Sequence, residues 1–359
     1  MTPRRLPWLE LAWTRLPPLA GRGVHAVLLH GTPGVGKKGL AHDFAEALLC
    51  TSKRADGHGC GECGECRLVA TFSHPGLRWV LPQALAERLL PQATDDADEA
   101  GEPAPADAGE GEGKSPRASR EIRVDQVRAL SDFLGIAAFR GGHRVVVIAP
   151  AEAMNAVAAN TLLKILEEPP PATMFVLVSD SLDDVLPTIR SRCVLVQVPV
   201  PAAADCLRWL QGQGVADPHA ELALASGAPL AALAGVGEAS IATETVTALY
   251  RLLERGPSLS AAQIAAGVGR DPSVSACLRR MLCWAVDLLQ YRAVASVRYH
   301  PRHSASIARL AKSVDDRRLW EWLDALKAAC RSREHPLNPR LVIESLLAGY
   351  MNIFVEDRR

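Results

Sequence analysis

The chain has 359 residues, 48% of them hydrophobic and 22% charged, and its 40 Lys and Arg balance its 40 Asp and Glu. That length admits two or three domains of ordinary globular composition, and zero net charge argues against an independent nucleic-acid binder driven by a global positive field. No apolar run reaches membrane-spanning length, and the opening M-T-P-R-R-L-P-W-L-E lacks an apolar signal core, so the expected location is the cytoplasm, with no membrane partner.

In chain order, residues 24–30 (V-H-A-V-L-L-H) read as a buried strand. It feeds G-T-P-G-V-G-K-K at 31–38, a phosphate-binding loop that keeps its glycines and lysine (Gly31, Gly34, Gly36 and Lys37). The loop's backbone N–H groups can cradle phosphates, and Lys37 can reach the β- and γ-oxygens. The last position calls for Ser or Thr to ligate Mg²⁺, and Lys38 stands there instead, so nucleotide binding is expected to be weak or absent. A helix is predicted over 37–50. Cys50, at its end, joins Cys60, Cys63 and Cys66 of C-G-E-C-G-E-C. In the cytoplasm disulfides are rare, so this cluster predicts a closed, structural Zn²⁺ site; the other reading is free thiols on a loop. Cys193, Cys206, Cys277, Cys283 and Cys330 sit in apolar contexts and are expected in the core.

Residues 94–120 differ from the rest: eight acids and no base lie between Asp95 and Glu112, spaced by Ala, Gly and Pro. Such a stretch buries too little apolar surface to offset its ordering entropy, which predicts a disordered acidic insertion. Order resumes at I-R-V-D-Q-V-R-A-L, where Val124, Val127 and Leu130 have helical spacing. Residues 144–149 (R-V-V-V-I-A) suit a central parallel strand. In phosphate-loop NTPases an acid at the tip of this strand holds Mg²⁺ and orients water. Here the tip reads Ala149-Pro150-Ala151, and Glu152 follows too late unless the register shifts.

Next, N-T-L-L-K-I-L-E-E-P-P-P at 160–171 puts Leu162, Ile165 and Leu166 on one helical face before prolines stop the helix. A second buried strand is predicted at 175–179. L-P-T-I-R-S-R-C follows at 186–193, read as extended, with Arg190 and Arg192 on one side. From Pro201 onward the pattern is helical: a small bundle to about Gly237, then amphipathic helices at 243–253 and 278–289 and one opening at Asn338-Pro339. Trp320 and Trp322, two positions apart, are not expected to face one neighbour.

The motifs in this order, from Pro7-Trp8-Leu9 through phosphate loop, cysteine module, I-x-V-D-Q-V-R, L-E-E-P-P and S-R-C, resemble the clamp-loader branch of the AAA+ ATPases in bacterial DNA polymerase III. The resemblance is specific to about residue 200 and rests beyond that on helical character alone. It departs from the family pattern in the acidic insertion and in one extra residue between Cys50 and Cys60. It implies an α/β, AAA+ parallel-sheet nucleotide-binding domain over 1–200 carrying the zinc module at 50–66, a helical lid at 201–240 and an all-α collar at 241–359. It implies that Arg192 of S-R-C acts in trans, as an arginine finger towards nucleotide held by a neighbouring subunit. Leu230 takes the place of the family's lid arginine. The implied role is a non-hydrolysing member of a hetero-pentameric ring with motor and clamp-opening subunits, which loads the sliding clamp on primed DNA. Two other readings stay open: an active ATP-hydrolysing motor subunit, and a stand-alone zinc-dependent nucleic-acid-binding protein.

Overall fold

The computed structural model describes residues 6–89, 119–135, 143–241, 243–269, 272–331 and 338–354. Most of the acidic stretch expected to be disordered, 94–118, lies outside them. The chain divides into two compact units, 1–200 and 201–359.

The first unit opens with a 3-10 turn at Pro7–Leu9 and short helices α1 (Glu10–Trp13) and α2 (Leu16–Gly21). Strand β1 (Ala26–His30) leads through the glycine loop into α3 (Lys37–Leu49), followed by α4 (Gly64–Ala70), β2 (Leu77–Val80) and α5 (Gln83–Leu89). Then come α6 (Val124–Gly135), β3 (Arg144–Ile148), α7 (Ala156–Glu167), β4 (Thr173–Ser179), α8 (Pro187–Arg190) and β5 (Val194–Gln197). The strands form one parallel sheet in the order β2-β3-β4-β1-β5. β1, β3 and β4 are apolar along nearly their whole length because helices cover both faces; Leu28, Val146, Ile148, Phe175 and Leu177 are fully buried.

Register decides what meets at the carboxyl edge. His30 pairs with Ser179, so the residues that follow, Gly31 and Asp180, emerge side by side. On the other flank the Val198 N–H donates to the His30 carbonyl (2.8 Å). A side chain on Gly31, at φ +146°, would drive into the Val198 carbonyl, so glycine is required there.

The motif helix α6 has a structural job. Gln126 accepts the Arg123 N–H (2.9 Å) and donates to the Leu81 carbonyl beyond β2 (2.8 Å). The prolines after α7 turn the chain into β4, and the buried guanidinium of Arg144 donates to the Pro171 carbonyl at 3.0 Å.

The second unit is helical throughout its described residues. α9 (Ala203–Gly212), α10 (Pro218–Leu224) and α11 (Pro229–Ile241) enclose a small core of Cys206, Leu210, Val215, Leu222 and Ala232. α12 (Thr243–Arg255), α13 (Ala261–Gly267), α14 (Val274–Val294), α15 (Ser304–Leu310), α16 (Asp316–Arg331) and α17 (Pro339–Met351) share a larger core centred on Trp284 and Tyr350. On α16 Trp322 is buried and Trp320 exposed, as their two-residue offset requires.

Candidate nucleotide and metal sites

Lys37 opens α3 and points back into the loop that precedes it. Its ammonium donates to the carbonyls of Gly31 (2.6 Å) and Thr32 (2.7 Å) and pairs with the Asp180 carboxylate at 2.6 Å. An ammonium has three N–H donors, and here each has an acceptor. Lys37 is 3% exposed, and Asp180 is 44% exposed on its solvent side. Gly34 and Gly36 take positive φ (82° and 106°), the left-handed conformation with which a glycine loop can turn successive N–H groups to one side. Burial first, and the Lys37 charge second, hold the His30 imidazole below its ordinary range. Lys38 is half-buried one residue further into α3.

The strand-tip acid is missing from β3: Ile148 is followed by Ala149 and Pro150. Glu152, in a 3-10 turn at Ala151–Ala153, accepts the Asp180 N–H through Oε1 (2.8 Å), while its Oε2 is buried without a hydrogen-bond partner. Sequence reasoning overlooked Asp180, which directly follows β4. The available signal was the parallel pairing of the strands at 24–30 and 175–179, whose next residues must meet.

The loop's position is fixed from outside by Pro7-Trp8-Leu9. The Trp8 indole N–H donates to the Val35 carbonyl (2.8 Å). Five residues on, Trp13 donates to the Asp56 carbonyl (3.1 Å) and stacks on His58 at 3.7 Å between ring centroids.

Asp56 and His58 belong to the loop between Cys50 and Cys60. The thiols of Cys50, Cys60, Cys63 and Cys66 all lie within 4.8 Å of one another, with Cys50–Cys63 at 3.9 Å and Cys60–Cys66 at 3.8 Å. Zn–S bonds of about 2.3 Å in a tetrahedron give S···S edges of about 3.8 Å, so the set fits Zn²⁺. The backbone is turned to receive thiolates. Cys50 Sγ accepts from the N–H groups of Ser52 and Cys60 (both 3.3 Å), Cys60 Sγ from Cys63 (3.3 Å), and Cys63 Sγ from Cys66 (3.4 Å). The last contact also caps α4. Burial pushes the Cys63 thiol up, but N–H and S–H donors, Cys66 first, bring it down to about 6. N–H groups of Glu62 and Cys63 lower Cys60 likewise, whereas burial raises Cys66. Four protein ligands would leave no position for a reacting water on an ion held here, the arrangement of a structural rather than a catalytic metal.

Arg192 sits on the turn after α8, at the outer end of the sheet. Its guanidinium pairs with Glu167 of L-E-E-P-P, and donates to the Thr188 carbonyl (2.9 Å) and Ser191 Oγ (3.3 Å). The expected extended segment is instead the helical turn α8, followed by Ser191 and Arg192 in a turn. Pro187 starts it with its fixed φ. Arg190 consequently parts from Arg192 and turns to the Leu182 carbonyl (3.3 Å) and Asp183 (3.7 Å). Leu230, near the start of α11, is half-buried.

Residues 19–202 match the family described as DNA polymerase III, delta subunit. The chain is 38% identical over 258 residues to DNA polymerase III subunit delta' of Pseudomonas aeruginosa, covering 69% of this chain and 67% of that one. The chain belongs to the DNA polymerase III delta-prime subunit family. To the delta-prime subunit of Escherichia coli it is 32% identical over 237 residues, 64% of this chain and 60% of the relative, so the match spans less than two thirds of that relative's length. Among solved structures, the gamma subunit-related protein of Thermotoga maritima aligns at a TM-score of 0.43 and 17% identity, over 95% of this chain and 99% of the other. With its glycine loop between β1 and α3, this delta-prime chain carries a five-stranded parallel sheet in the order β2-β3-β4-β1-β5. No helix among the described residues is long and apolar enough to cross a membrane.

Proposed function

We propose that this chain occupies the delta-prime place in a bacterial clamp loader, a cytoplasmic hetero-pentameric ring with motor and clamp-opening subunits that loads the sliding clamp on primed DNA. Within that ring it turns over no ATP itself and supplies Arg192 to nucleotide bound by a neighbouring motor subunit. On this reading 201–240 is the lid, 241–359 the collar that closes the ring, and the four cysteines hold structural Zn²⁺. The observation that carries it is the contrast between two basic groups of one domain. Lys37 is enclosed and saturated by its own chain, in a site without a β3-tip acid, whereas Arg192 stands on an outer turn, held by the exposed carboxylate of Glu167 and by two hydrogen bonds within that turn. An arginine donated in trans is worth about 10³–10⁵ in rate in well-studied NTPases.

The test is steady-state turnover. The purified chain should hydrolyse ATP negligibly, while the assembled complex should lose clamp- and DNA-stimulated turnover on Arg192→Ala. One observation favours the active-motor reading: Glu152 lies next to Asp180 with a free carboxylate oxygen. Robust turnover by the chain alone, lost in both Lys37→Ala and Glu152→Gln, would establish that reading instead.

A further inference from the structure

We propose that Asp180, positioned by Glu152, is an internal anion that competes with nucleotide phosphate for Lys37 and so sets the affinity of the glycine loop. The inference rests on the reading that this loop binds nucleotide weakly, and adds a cause that Lys38 and the bare β3 tip do not supply.

The contact is built by the sheet itself. The pairing of His30 with Ser179 delivers Asp180 to the mouth of the loop, and its carboxylate meets the Lys37 ammonium at 2.6 Å. Two of the three ammonium donors go to the carbonyls of Gly31 and Thr32. Those carbonyls belong to the loop's own backbone, and Gly31 is tightly confined by Val198. Of the three acceptors only the Asp180 carboxylate belongs to an exposed side chain rather than to the loop's backbone, so an incoming phosphate oxygen must displace that carboxylate or go without the lysine. The Asp180 backbone is anchored in turn: Glu152 Oε1 accepts its N–H at 2.8 Å. Phosphate and carboxylate make the same kind of charge-assisted contact with an ammonium, so the internal group, held at a high effective concentration, discounts the external one. A phosphate entering beside Asp180 would also meet a like charge.

The experiment titrates the full-length chain by calorimetry with magnesium–ATP and, separately, with inorganic tripolyphosphate. Asp180→Ala should bind both ligands about tenfold or more tighter than wild type, the scale expected when one competing charge-assisted hydrogen bond is removed. The isosteric Asp180→Asn, which keeps the shape and loses the charge, should gain in the same direction. Glu152→Ala should give a smaller gain, because the Asp180 backbone loses its anchor. Adding Lys37→Ala to Asp180→Ala should erase the gain. If Asp180→Asn keeps the wild-type circular dichroism spectrum and binds neither ligand more tightly, the proposal is overturned while the weak-binding reading stands. If the wild-type chain binds magnesium–ATP at micromolar concentration, the weak-binding reading fails and takes this inference with it.

Discussion

Lys37 and Arg192 are both already paired with carboxylates of their own chain, yet exchanging the partner costs very different amounts. The Arg192–Glu167 pair is 34% and 50% exposed, and surface pairs of this kind contribute about 0–1 kcal/mol, so Glu167 can give way to a phosphate at little cost. Arg192→Ala is therefore expected to leave the melting temperature and complex assembly unchanged and to lower stimulated ATP hydrolysis by the complex. Arg190→Ala, whose side chain turns to Leu182 and Asp183, should not lower it. Turnover at wild-type level in Arg192→Ala would make this chain a passive ring member. A second residue-scale expectation concerns acid. Asp287, fully buried on α14, accepts the N–H groups of Arg298, Tyr299 and His300 and the His300 Nδ1–H (2.8 Å). His300 Nε2 is buried without a partner beside Tyr250, Trp284 and His303, so a proton there would find no acceptor. Burial thus holds His300 below its usual 6.5, and the neighbouring Asp287, despite its own burial, is held below 3.8 by His300 and the backbone donors. In both cases the unfolded chain binds protons at a higher pH than the folded one, so stability falls as pH falls. The loss begins as pH drops through 6.5. The unfolding midpoint of the second unit should decline between about pH 7 and pH 5.5, and His300→Gln should flatten that decline. The cysteines and glycines stood out as residue types at fixed spacing, whereas Arg192 was singled out only by the family resemblance. Asp180 and the Asp287–His300 pair did not stand out, because each acquires its chemistry from a partner that only the fold brings near.

Among the elements, those with continuous apolar runs were the readable ones: β1, β3 and β4 lie within two residues of their expected bounds. β2 and β5 escaped because they are edge strands, L-R-W-V and V-L-V-Q, with polar or exposed positions that blur any pattern. α8 escaped because one turn of helix has no period to detect. The cysteine module shows how little regular structure a metal site needs: Cys50 ends one helix, Cys63 caps the next, and the loop between them is tethered by Trp13. Elemental analysis should find about one zinc per chain. Cys66→Ser, at the most buried ligand, should abolish that stoichiometry and change Trp13 fluorescence by loosening its stack on His58. A well-folded wild-type chain with reduced cysteines and no metal would remove zinc from this account.

At the scale of the whole molecule, the second unit owes its cohesion to contacts far apart in sequence, which is why the sequence indicated its helices but not their packing. Leu253 lies in the last turn of α12, and the residue that would satisfy its carbonyl is Pro257, which has no N–H. The Tyr350 hydroxyl takes that role from α17 at 2.7 Å, while accepting the Trp284 indole N–H at 3.2 Å. Tyr350→Phe leaves two buried polar groups without partners, and urea unfolding should show a loss of about 1–3 kcal/mol.

One further consequence lies in the first few residues. Trp8 fastens the glycine loop and Trp13 the cysteine loop, from opposite ends of one short segment. Two sites separated along the chain therefore share a single hinge pin. Trimming the N-terminus past Trp13, a change that sequence position alone makes look harmless, would release both at once. A bulky fusion placed directly before Pro7 would press on the same pin. In this chain, a change anywhere between Pro7 and Trp13 is an intervention in both sites.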